Sequence, residues 1–536
     1  MAQIKFDCDL TTAGFPLLSD WASRSVIVPQ LDQGTERSAT PKPQVIYAQD
    51  VLPTANGYKS ISYQQLLAAP SPANTSFSFI LTVSDSAQNR GLIGVTTDNK
   101  IYTFTIATNV WQDVSPVGWV GGDAVTTGSA NGVVYILCAN YGCYSVSLVT
   151  GLLTPVTLLG ITIANIKGIF SSINYLCLYD SSTIYWSSTI NPLDFVPSLI
   201  TGAGSSVPYD LSGVIVSCVG LNNGFAVYST TNIVLSSFSN NTQYPWIFRN
   251  ANNGAGIRDK QNVTIGKDLG FHIAITYAGV LKITPQGCQP IVPEVSDFLA
   301  ANLYESFNSA TNTLAVTRLT APLIYKLAVI SARWIVVSYG ITTLTDCLVY
   351  DLALNRWGKL HITHAAIFEL EAQVANSNAG TYNAVGEIGS SYASAAGQLY
   401  NLFSYGLSHT PDINRVFGYL TTSGTIGIAY MDYVSSTDAA VLLLGKYQLV
   451  HNNMLELLGV EVESIPQDNT GFSVVDLVSL NGKDIYSRNT LVESANTGTT
   501  MRLYDANIVG KNHTLAFKGS FNLTNILVVG VAGSRR

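Results

Sequence analysis

Residues 348–357 read Leu-Val-Tyr-Asp-Leu-Ala-Leu-Asn-Arg-Trp. Alternating apolar residues before Asn355, and an aromatic residue after it, suit two half-buried strands joined by a tight turn. Asparagine tolerates the left-handed backbone conformation that such a turn requires. The stretch therefore predicts a β-hairpin with Asn355 in its turn and Trp357 buried in its second strand.

The same pattern recurs elsewhere in the chain, with the turn residue seven places and a large apolar residue nine places after the first position. In the copy that starts at Leu348, these residues are Asn355 and Trp357. In the copy that starts at Tyr102 they are Asn109 and Trp111, and in the copy that starts at Tyr144 they are Gly151 and Leu153. Tyr102 and Tyr144 are 42 residues apart, and another 42 leads to Trp186, with Phe195 in ninth place and Pro192 altering the turn. A period of ~40–50 residues made of short strands is typical of propeller blades.

Changes of composition predict four segments of an all-β protein. Residues 1–44 contain scattered prolines and no core pattern, which predicts an extended N-terminal arm. Residues 45–371 are expected to form a β-propeller of about six blades, with allowance for an incomplete ring. Residues 372–398 are rich in Ala, Ser, Asn and Gly, which indicates a linker or loop. Residues 399–536 alternate without an Asn-x-Trp turn and are interpreted as an additional C-terminal β-sandwich-like domain.

The composition narrows the classes of function. Charged residues make up 11% of the chain and hydrophobic residues 47%, against roughly 25% charged residues in typical soluble domains. A surface with so few charges suits a protein that is permanently packed against other proteins. The net charge is −7, and the 27 Lys and Arg residues form no cluster, which argues against tight nucleic-acid binding.

Export and membrane insertion are not expected. No run approaches the ~18 apolar residues of a membrane span, and residues 1–7 lack the apolar core of a signal peptide. The chain is therefore expected to be made in a cytoplasm, where its seven cysteines would stay reduced. Cys138 and Cys143 flank the turn 140–142, so a disulfide and two packed thiols are both open for this pair.

Motifs for catalysis, cofactors or metals are missing from the sequence. There is no Gly-x-Ser-x-Gly, no His-Glu-x-x-His and no phosphate-cradling Gly-Lys-Ser/Thr. His361 and His364 resemble a pair of metal ligands, but residues three apart on a strand point to opposite faces. We therefore expect no enzyme activity, no cofactor and no metal site.

Several phrases occur in the order known from one protein family. Residues 51–58 read Val-Leu-Pro-Thr-Ala-Asn-Gly-Tyr, 245–249 read Pro-Trp-Ile-Phe-Arg before Gly-Ala-Gly at 254–256, and 355–359 read Asn-Arg-Trp-Gly-Lys. The further phrases lie at 186–195, 445–447 and 509–513. Together they resemble the nozzle proteins of short-tailed bacteriophages, also called tail tubular protein B or packaged-DNA stabilisation proteins. Residues 1–44 and 372–398 do not match that family's pattern.

The resemblance implies a structural virion protein with a propeller-based subunit. Six copies would form a homohexameric ring below the portal and adaptor of the phage tail. That ring would continue the DNA channel, retain the packaged genome and let it through on ejection without binding it tightly. The implied partners are the adaptor protein, with tail fibres or tailspikes as further candidates. The family supplies no catalytic residues.

Two pairs of acidic residues remain to be interpreted. Glu369 with Glu371 and Glu461 with Glu463 each place two carboxylates on one strand face, ~6.5 Å apart, within the ~5–9.5 Å range of glycosidase pairs. A catalytic pair normally faces across a pocket in unequal environments, so an ordinary acidic strand face at a solvent-filled surface is the preferred interpretation. Both pairs are also candidates for an acidic wall of the DNA channel. The alternative is a tail-associated carbohydrate-binding or glycosidase β-propeller. Exposed aromatic residues grouped on one loop face would favour carbohydrate binding.

Overall fold

The structure is a computed structural model. It describes residues 4–9, 45–67, 77–84, 90–105, 110–121, 125–239, 241, 244–265, 270–291, 303–308, 313–320, 323–330, 333–368, 415–430, 440–447, 454–464, 471–479, 487–496, 501–510 and 512–532. The helices in these ranges are two short 3-10 turns, Ile163–Asn165 and Lys260–Asn262. No helix in this part of the chain could span a membrane.

Strands account for the rest of the regular structure, and five of them precede the first blade of the propeller. They are β1 (Ile4–Asp9), β2 (Val45–Gln49), β3 (Val51–Thr54), β4 (Gly57–Ser60) and β5 (Ser62–Leu67).

Antiparallel sheets of four consecutive strands follow. Blade 1 contains β6 (Phe77–Ser84), β7 (Arg90–Thr96), β8 (Ile101–Thr105) and β9 (Val110–Asp113). Blade 2 contains β10 (Val125–Ala130), β11 (Val133–Cys138), β12 (Gly142–Val146) and β13 (Leu153–Val156). Blade 3 contains β14 (Gly168–Ser172), β15 (Tyr175–Tyr179), β16 (Ile184–Trp186) and β17 (Gly204–Ser206). Blade 4 contains β18 (Ile215–Leu221), β19 (Gly224–Ser229), β20 (Asn232–Phe238) and β21 (Trp246–Asn253).

The next two blades are separated by a hairpin. Blade 5 contains β22 (Val263–Ile265), β23 (His272–Thr276), β24 (Gly279–Thr284) and β25 (Gly287–Pro290). The hairpin contains β26 (Leu303–Asn308) and β27 (Thr313–Arg318). Blade 6 contains β28 (Ile324–Ile330), β29 (Trp334–Gly340), β30 (Leu344–Asp351) and β31 (Arg356–His364).

The seventh blade combines two distant parts of the chain. Three of its strands are β32 (Ala366–Phe368), β33 (Arg415–Leu420) and β34 (Ile426–Tyr430). The fourth is β5, which pairs with β34 and comes from before blade 1. The ring is therefore closed by a strand from the N-terminal side of the propeller.

A hydrophobic cluster lies between each pair of successive blades, and the last of these clusters joins blade 7 to blade 1. In that last cluster Phe77 and Trp111 of blade 1 pack with Phe368 and Ile426 of blade 7. Because the succession of interfaces returns to its start, the fold is a closed β-propeller. The structure has seven blades where the sequence predicts about six.

The C-terminal strands form a β-sandwich. They are β35 (Val441–Tyr447), β36 (Leu455–Ser464), β37 (Gly471–Ser479), β38 (Ser487–Asn496), β39 (Met501–Gly510), β40 (Asn512–Gly519) and β41 (Asn522–Ala532). One sheet has the order β2-β35-β40-β37-β38, and the other contains β4-β41-β36-β39 with β1 beside β41. One apolar core lies between them, including Tyr58, Leu442, Val462, Phe517 and Ile526.

The sandwich is thus built from both sides of the propeller in sequence. Strands β2, β3 and β4 come from 45–60, which the sequence analysis placed in the propeller domain, while β33 and β34 come from the predicted C-terminal domain. Because the sequence analysis assigned β33 and β34 to the C-terminal domain, it predicted one blade fewer than the structure has. Of the predicted arm, only β1 is described, and the predicted linker 372–398 lies outside the described residues. Sheet pairing continues between the two units, since Val51 of β3 pairs with Lys359 of β31.

The repeated phrase spans the third and fourth strands of a blade. Asn355 and Gly151 have φ values of 53° and 76°, and each amide donates to the carbonyl four residues earlier. Trp111 and Trp357 are buried against the preceding blade, whereas Leu153 is only half-buried in the same place. Asn109 lies outside the described residues.

The copy counted from Trp186 departs from the others. Phe195 is buried, but it lies in the long connection before β17 rather than in the fourth strand. The turn equivalent to Gly151 is at Gly202, whose φ is 73° and whose amide donates to the Ser198 carbonyl. An insertion between third and fourth strands therefore shifts the pattern in blade 3.

Cys138 and Cys143 are free thiols on opposite faces of blade 2. Cys138 packs toward blade 1 and Cys143 toward blade 3. Of the two alternatives that the sequence left open, the structure therefore has two packed thiols.

Candidate functional site

The antiparallel order of each blade sorts the loops onto two faces of the propeller. Turns between second and third strands, and connections from one blade to the next, lie together on what we call the connection face. Several large apolar side chains are exposed there: Val117, Val120, Tyr141, Val207, Tyr209, Tyr277 and Ile341. Val117 is 95% exposed and Tyr209 is 91% exposed, so these side chains gain almost no burial within the subunit.

The opposite face, here called the turn face, carries the other turns of each blade. Its exposed apolar residues are concentrated in the third-to-fourth-strand loops of blades 2, 3 and 4. They are Val149, Leu152, Ile190, Val196, Leu199, Ile200 and Tyr244. Ile200 is 90% exposed. Exposed apolar patches mark sites of protein contact, and individual large apolar side chains are exposed on both faces of this propeller.

Exposed tyrosines are distributed unevenly between the two faces. Among the described residues, Tyr141, Tyr209 and Tyr277 lie on the connection face, and Tyr244 lies on the turn face. The Tyr141 hydroxyl donates to the Val117 carbonyl, which fixes its ring over the connection between blades 1 and 2. An aromatic ring with a polar tip suits both protein interfaces and sugar-binding surfaces.

Two lysines near the propeller axis contact other blades. Lys260, just before β22, donates to the Val125 carbonyl of blade 2 at 3.2 Å and lies 5.6 Å from the Phe79 ring centre in blade 1. Lys326 of blade 6 donates to the carbonyls of Ser78 and Ala365. Lys260 therefore links blade 5 to blades 1 and 2 across the centre, whereas Lys326 links blade 6 to blades 7 and 1.

The predicted acidic pairs have different outcomes. Glu369 and Glu371 lie outside the described residues. Glu461 and Glu463 are half-buried on β36, and Val462 between them is 2% exposed in the sandwich core. The two carboxylates therefore share the outer face of the second sandwich sheet.

A buried ionic cluster lies where blade 6 meets the sandwich. Asp346 of β30 is 1% exposed and accepts from His361 Nδ1 at 3.0 Å and from Thr345 Oγ1 at 2.8 Å. The Lys359 ammonium is 3.5 Å from the same carboxylate and 4.8 Å from the Tyr47 ring centre of β2. The cluster therefore attaches the propeller to the sandwich.

The charges in this cluster set one another's protonation. Burial acts to raise the pKa of Asp346, but Lys359 and the His361 hydrogen bond outweigh it and hold that pKa at about 2. Burial acts to lower the pKa of Lys359, yet Tyr339, Tyr47 and Asp346 raise it above its ordinary value. The hydrogen bond to Asp346 raises the pKa of His361. The buried pair is therefore ionised near neutral pH.

Asp50 extends the cluster into the sandwich. It lies between β2 and β3 with a φ of 55°, and its carboxylate accepts from the His361 amide at 2.8 Å and the Tyr63 hydroxyl at 2.5 Å. Tyr63 belongs to β5 of blade 7. One carboxylate thus joins the sandwich to two blades.

His361 and His364 point to different surroundings, as the strand spacing predicts. His361 faces Asp346, whereas His364 is buried with its Nε2 2.8 Å from Ser338 Oγ and 3.7 Å from Cys347 Sγ. The carbonyl of Ile362 lies 2.7 Å from His364 Nδ1, so Nδ1 carries the proton. Burial lowers the pKa of His364 to about 4 and raises that of Cys347, which leaves both groups neutral.

Two more buried histidines connect structural units. His272 of blade 5 lies 2.9 Å from the Tyr228 hydroxyl and 2.8 Å from the Gly220 carbonyl of blade 4. Burial lowers the pKa of His272 to about 4. His513 lies 2.8 Å from the Asp476 carboxylate in its own sheet and 3.0 Å from the Leu455 carbonyl of the other. Each ring uses both nitrogens in the fold.

Two of the sequence motifs that carry the family resemblance contact each other in the structure. The Arg356 guanidinium lies 4.4 Å from the Tyr58 ring centre and donates to the Thr54 carbonyl at 2.9 Å. Gly57 lies so close to β41 that a Cβ there would be 1.8 Å from the Leu523 oxygen. Trp186 and Trp246 of two other phrases share one buried cluster. These phrases therefore hold positions that packing requires.

No group of three or more His, Cys, Asp or Glu side chains that could bind a metal occurs in the described part of the chain. The buried titratable groups discussed above serve contacts between strands, blades and sheets. Sequence reasoning missed the Asp346–Lys359 pair, although charged residues inside apolar strands such as β30 and β31 are a usable signal.

No protein-family model matches the sequence, and neither does any curated protein. Virginiamycin B lyase from Staphylococcus aureus is similar with 10% identity over 69% of this chain and 99% of its own, at a TM-score of 0.37. The structure of YCF48 bound to D1 peptide gives 11% identity, 72% and 97% coverage, and a TM-score of 0.36. Similarity at this level carries no information about chemistry.

Proposed function

We propose that this chain is the structural subunit of a homohexameric nozzle ring in a short phage tail. The ring lies below the portal and adaptor, continues the DNA channel, retains the packaged genome and releases it on ejection. The motifs of the family resemblance, which occur in the expected order from residue 51 to 513, support this proposal. The low fraction of charged residues and the seven-bladed propeller support it as well. The protein would be made in the host cytoplasm and reside in the virion.

The observation that carries the proposal is apolar exposure on both faces of the propeller. Val117 and Tyr209 on the connection face, and Leu199 and Ile200 on the turn face, are 68–95% exposed. A protein that works alone would need to keep such residues in water on two sides. A ring subunit in a tail has neighbours within the ring, the adaptor above it and fibres or tailspikes around it.

The DNA path would belong to the ring and not to the centre of one propeller. Lys260, beside blade 5, contacts blades 1 and 2 across the propeller axis, which leaves no room there for a duplex. The channel wall would then be a surface between the six subunits. Glu461 and Glu463, together with Glu369 and Glu371, stay candidates for that wall, because carboxylates do not retain phosphates.

The test is the oligomer itself. Electron microscopy of the purified protein or the tail should show a six-fold ring with a central hole, and light scattering should give six times the chain mass of 57.4 kDa. Tyr209→Asp and Ile200→Asp should each weaken assembly at a different face, while Asp98→Asn, an exposed polar change on the connection face, should not. A protein that stays monomeric alone and with the adaptor overturns the proposal.

The three tyrosines of the connection face favour one second candidate, a tail-associated carbohydrate-binding propeller. Tyr141, Tyr209 and Tyr277 would supply ring faces for sugars. Binding to host surface glycans that is lost in Tyr209→Ala and kept in Tyr244→Ala, on the other face, would favour this function. Six-fold rings without glycan binding would favour the nozzle.

A further inference from the structure

The side of β41 that faces away from β36 is covered by two strands. β4 pairs with it at Tyr58 and Lys59, and β1 then pairs with residues 525–530. On its opposite side β41 pairs with β36 along almost its whole length, and Ile526 and Val528 are fully buried in the sandwich core. An uncovered edge on such a strand would be a template for pairing with another chain. β1 therefore covers the part of this edge that β4 leaves open.

The connection between β1 and the rest of the sandwich is long. Residues 10–44 separate β1 from β2, which lies in the other sheet. At about 3.3–3.6 Å per residue, a connector of that length spans on the order of 100 Å when extended. The entropic cost of a long connector grows only slowly with its length. The connector is therefore long enough for β1 to pair with β41 of another copy that lies within this distance.

We propose that β1 is exchanged around the ring, so that the β1 strand of each subunit pairs with β41 of the adjacent subunit. This inference rests on the hexameric ring proposed above. The backbone hydrogen bonds and register, from Ile4 opposite Gly530 to Asp9 opposite Asn525, are the same in the closed and exchanged forms. Exchange of an identical element between subunits costs little free energy, and a ring holds the neighbouring edge at high effective concentration.

Paired cysteines distinguish the two forms. Asp7 and Leu527 are direct partners in the register, so Asp7→Cys and Leu527→Cys are placed on separate chains, both in a Cys8→Ser background. The two chains are co-expressed, rings are isolated, and mild oxidation is followed by non-reducing electrophoresis. We expect covalent dimers from the mixture and none from either chain alone. Val509→Cys replaces Leu527→Cys in the control, because β36 separates β39 from β41.

A chain that carries both Asp7→Cys and Leu527→Cys checks the register. In rings it should form covalent chains of up to six subunits, while monomers separated from rings should crosslink internally. Rings whose double variant crosslinks only within one subunit overturn the exchange and leave the nozzle intact. Absence of any crosslink in the double variant overturns the register and the exchange with it. Absence of rings removes the proposed function and the exchange together.

Discussion

Trp111 of blade 1 donates its indole N–H to the carbonyl of Gly424 in blade 7 at 2.9 Å, across 313 positions of sequence. The Phe77 amide donates to the Thr422 carbonyl at 3.0 Å in the same interface. Trp111 is buried among residues of both blades. This one side chain therefore joins the two ends of the propeller ring.

Trp111→Ala should lower the free energy of unfolding by ~3–5 kcal/mol, because it removes a large buried side chain and leaves a cavity. Trp111→Phe keeps most of the packing but leaves the Gly424 carbonyl without this donor. This loss should lower the free energy of unfolding by about 1–3 kcal/mol. Urea unfolding followed by circular dichroism measures both. Tyr209→Ala, at an exposed site, is the control. Equal stability of Trp111→Ala and the control would mean that the ring does not depend on this contact.

The repeat offers a matched comparison between two equivalent positions. Trp357→Ala should cost ~3–5 kcal/mol because Trp357 is buried between blades 5 and 6. Leu153→Ala should cost clearly less, since Leu153 is only half-buried in the corresponding place. Thermal unfolding of both variants tests the ranking. The reverse order would contradict the assignment of both residues to the same position in a blade.

The junction between propeller and sandwich should be sensitive to the loss of Asp346. Asp346→Asn leaves the Lys359 ammonium buried without its carboxylate, which should lower the free energy of unfolding by ~3–5 kcal/mol. Replacing both residues, as in Asp346→Asn with Lys359→Met, should recover part of that loss. Asp113→Asn breaks the exposed ion pair with Lys100 and should have little effect on stability. A similar response to both single changes in urea unfolding would argue against a buried ionic joint.

Acid should destabilise the propeller through His272 and His364. Burial lowers the pKa of each to about 4, so the unfolded chain takes up protons first, near its ordinary pKa of ~6.5. The contribution of each neutral histidine to the free energy of unfolding is therefore fully present above pH ~6.5. It falls by ~1.4 kcal/mol per pH unit and per histidine as the pH is lowered toward 4. Denaturation at pH 4.5–7 measures the slope, which His272→Phe should reduce. A constant free energy of unfolding over this range would refute the neutral, buried state.

Duplex DNA should bind the ring only weakly. We expect a dissociation constant no tighter than ~10⁻⁶ M near 0.15 M salt, because each lysine or arginine contact to phosphate would add salt-dependent affinity. Glu461→Lys with Glu463→Lys should introduce such affinity if these residues line the channel, whereas Asp98→Lys should not. Fluorescence anisotropy with a labelled duplex gives the constants. A nanomolar constant for the unmodified ring would contradict the idea of a non-adhesive channel.

Local patterns account for the part of the fold that could be predicted. Alternation and turn residues locate hairpins because they depend on neighbouring residues, and they indicated the all-β propeller class correctly. Gly151 and Asn355 occupy the left-handed turns that their residue types favour. The same pattern failed at Phe195, because an insertion in blade 3 moved the equivalent turn to Gly202.

Long-range pairing could not be read from these patterns. Ser62–Leu67 completes a blade with Ile426–Tyr430, and nothing local to either strand specifies that partner. Alternation in 415–430 suits a blade and a sandwich equally well, which is why the sequence analysis placed these residues in the C-terminal domain. The Asp346–Lys359 pair was missed for the same reason, since its burial depends on the sandwich strand that carries Tyr47.

The insertion of the propeller between two parts of the sandwich also orders events at the ribosome. Val45–Gln49 is synthesised about 390 residues before its partner Val441–Tyr447, a delay of roughly 20–80 s at 5–20 residues per second. During that time the nascent chain carries an apolar strand without a sheet, and blade 7 lacks three of its four strands for most of the same interval. The propeller lacks its last strand until Tyr430 has been made, and the sandwich lacks β41 until Ala532 has been made, so the sandwich is the last unit that can be completed.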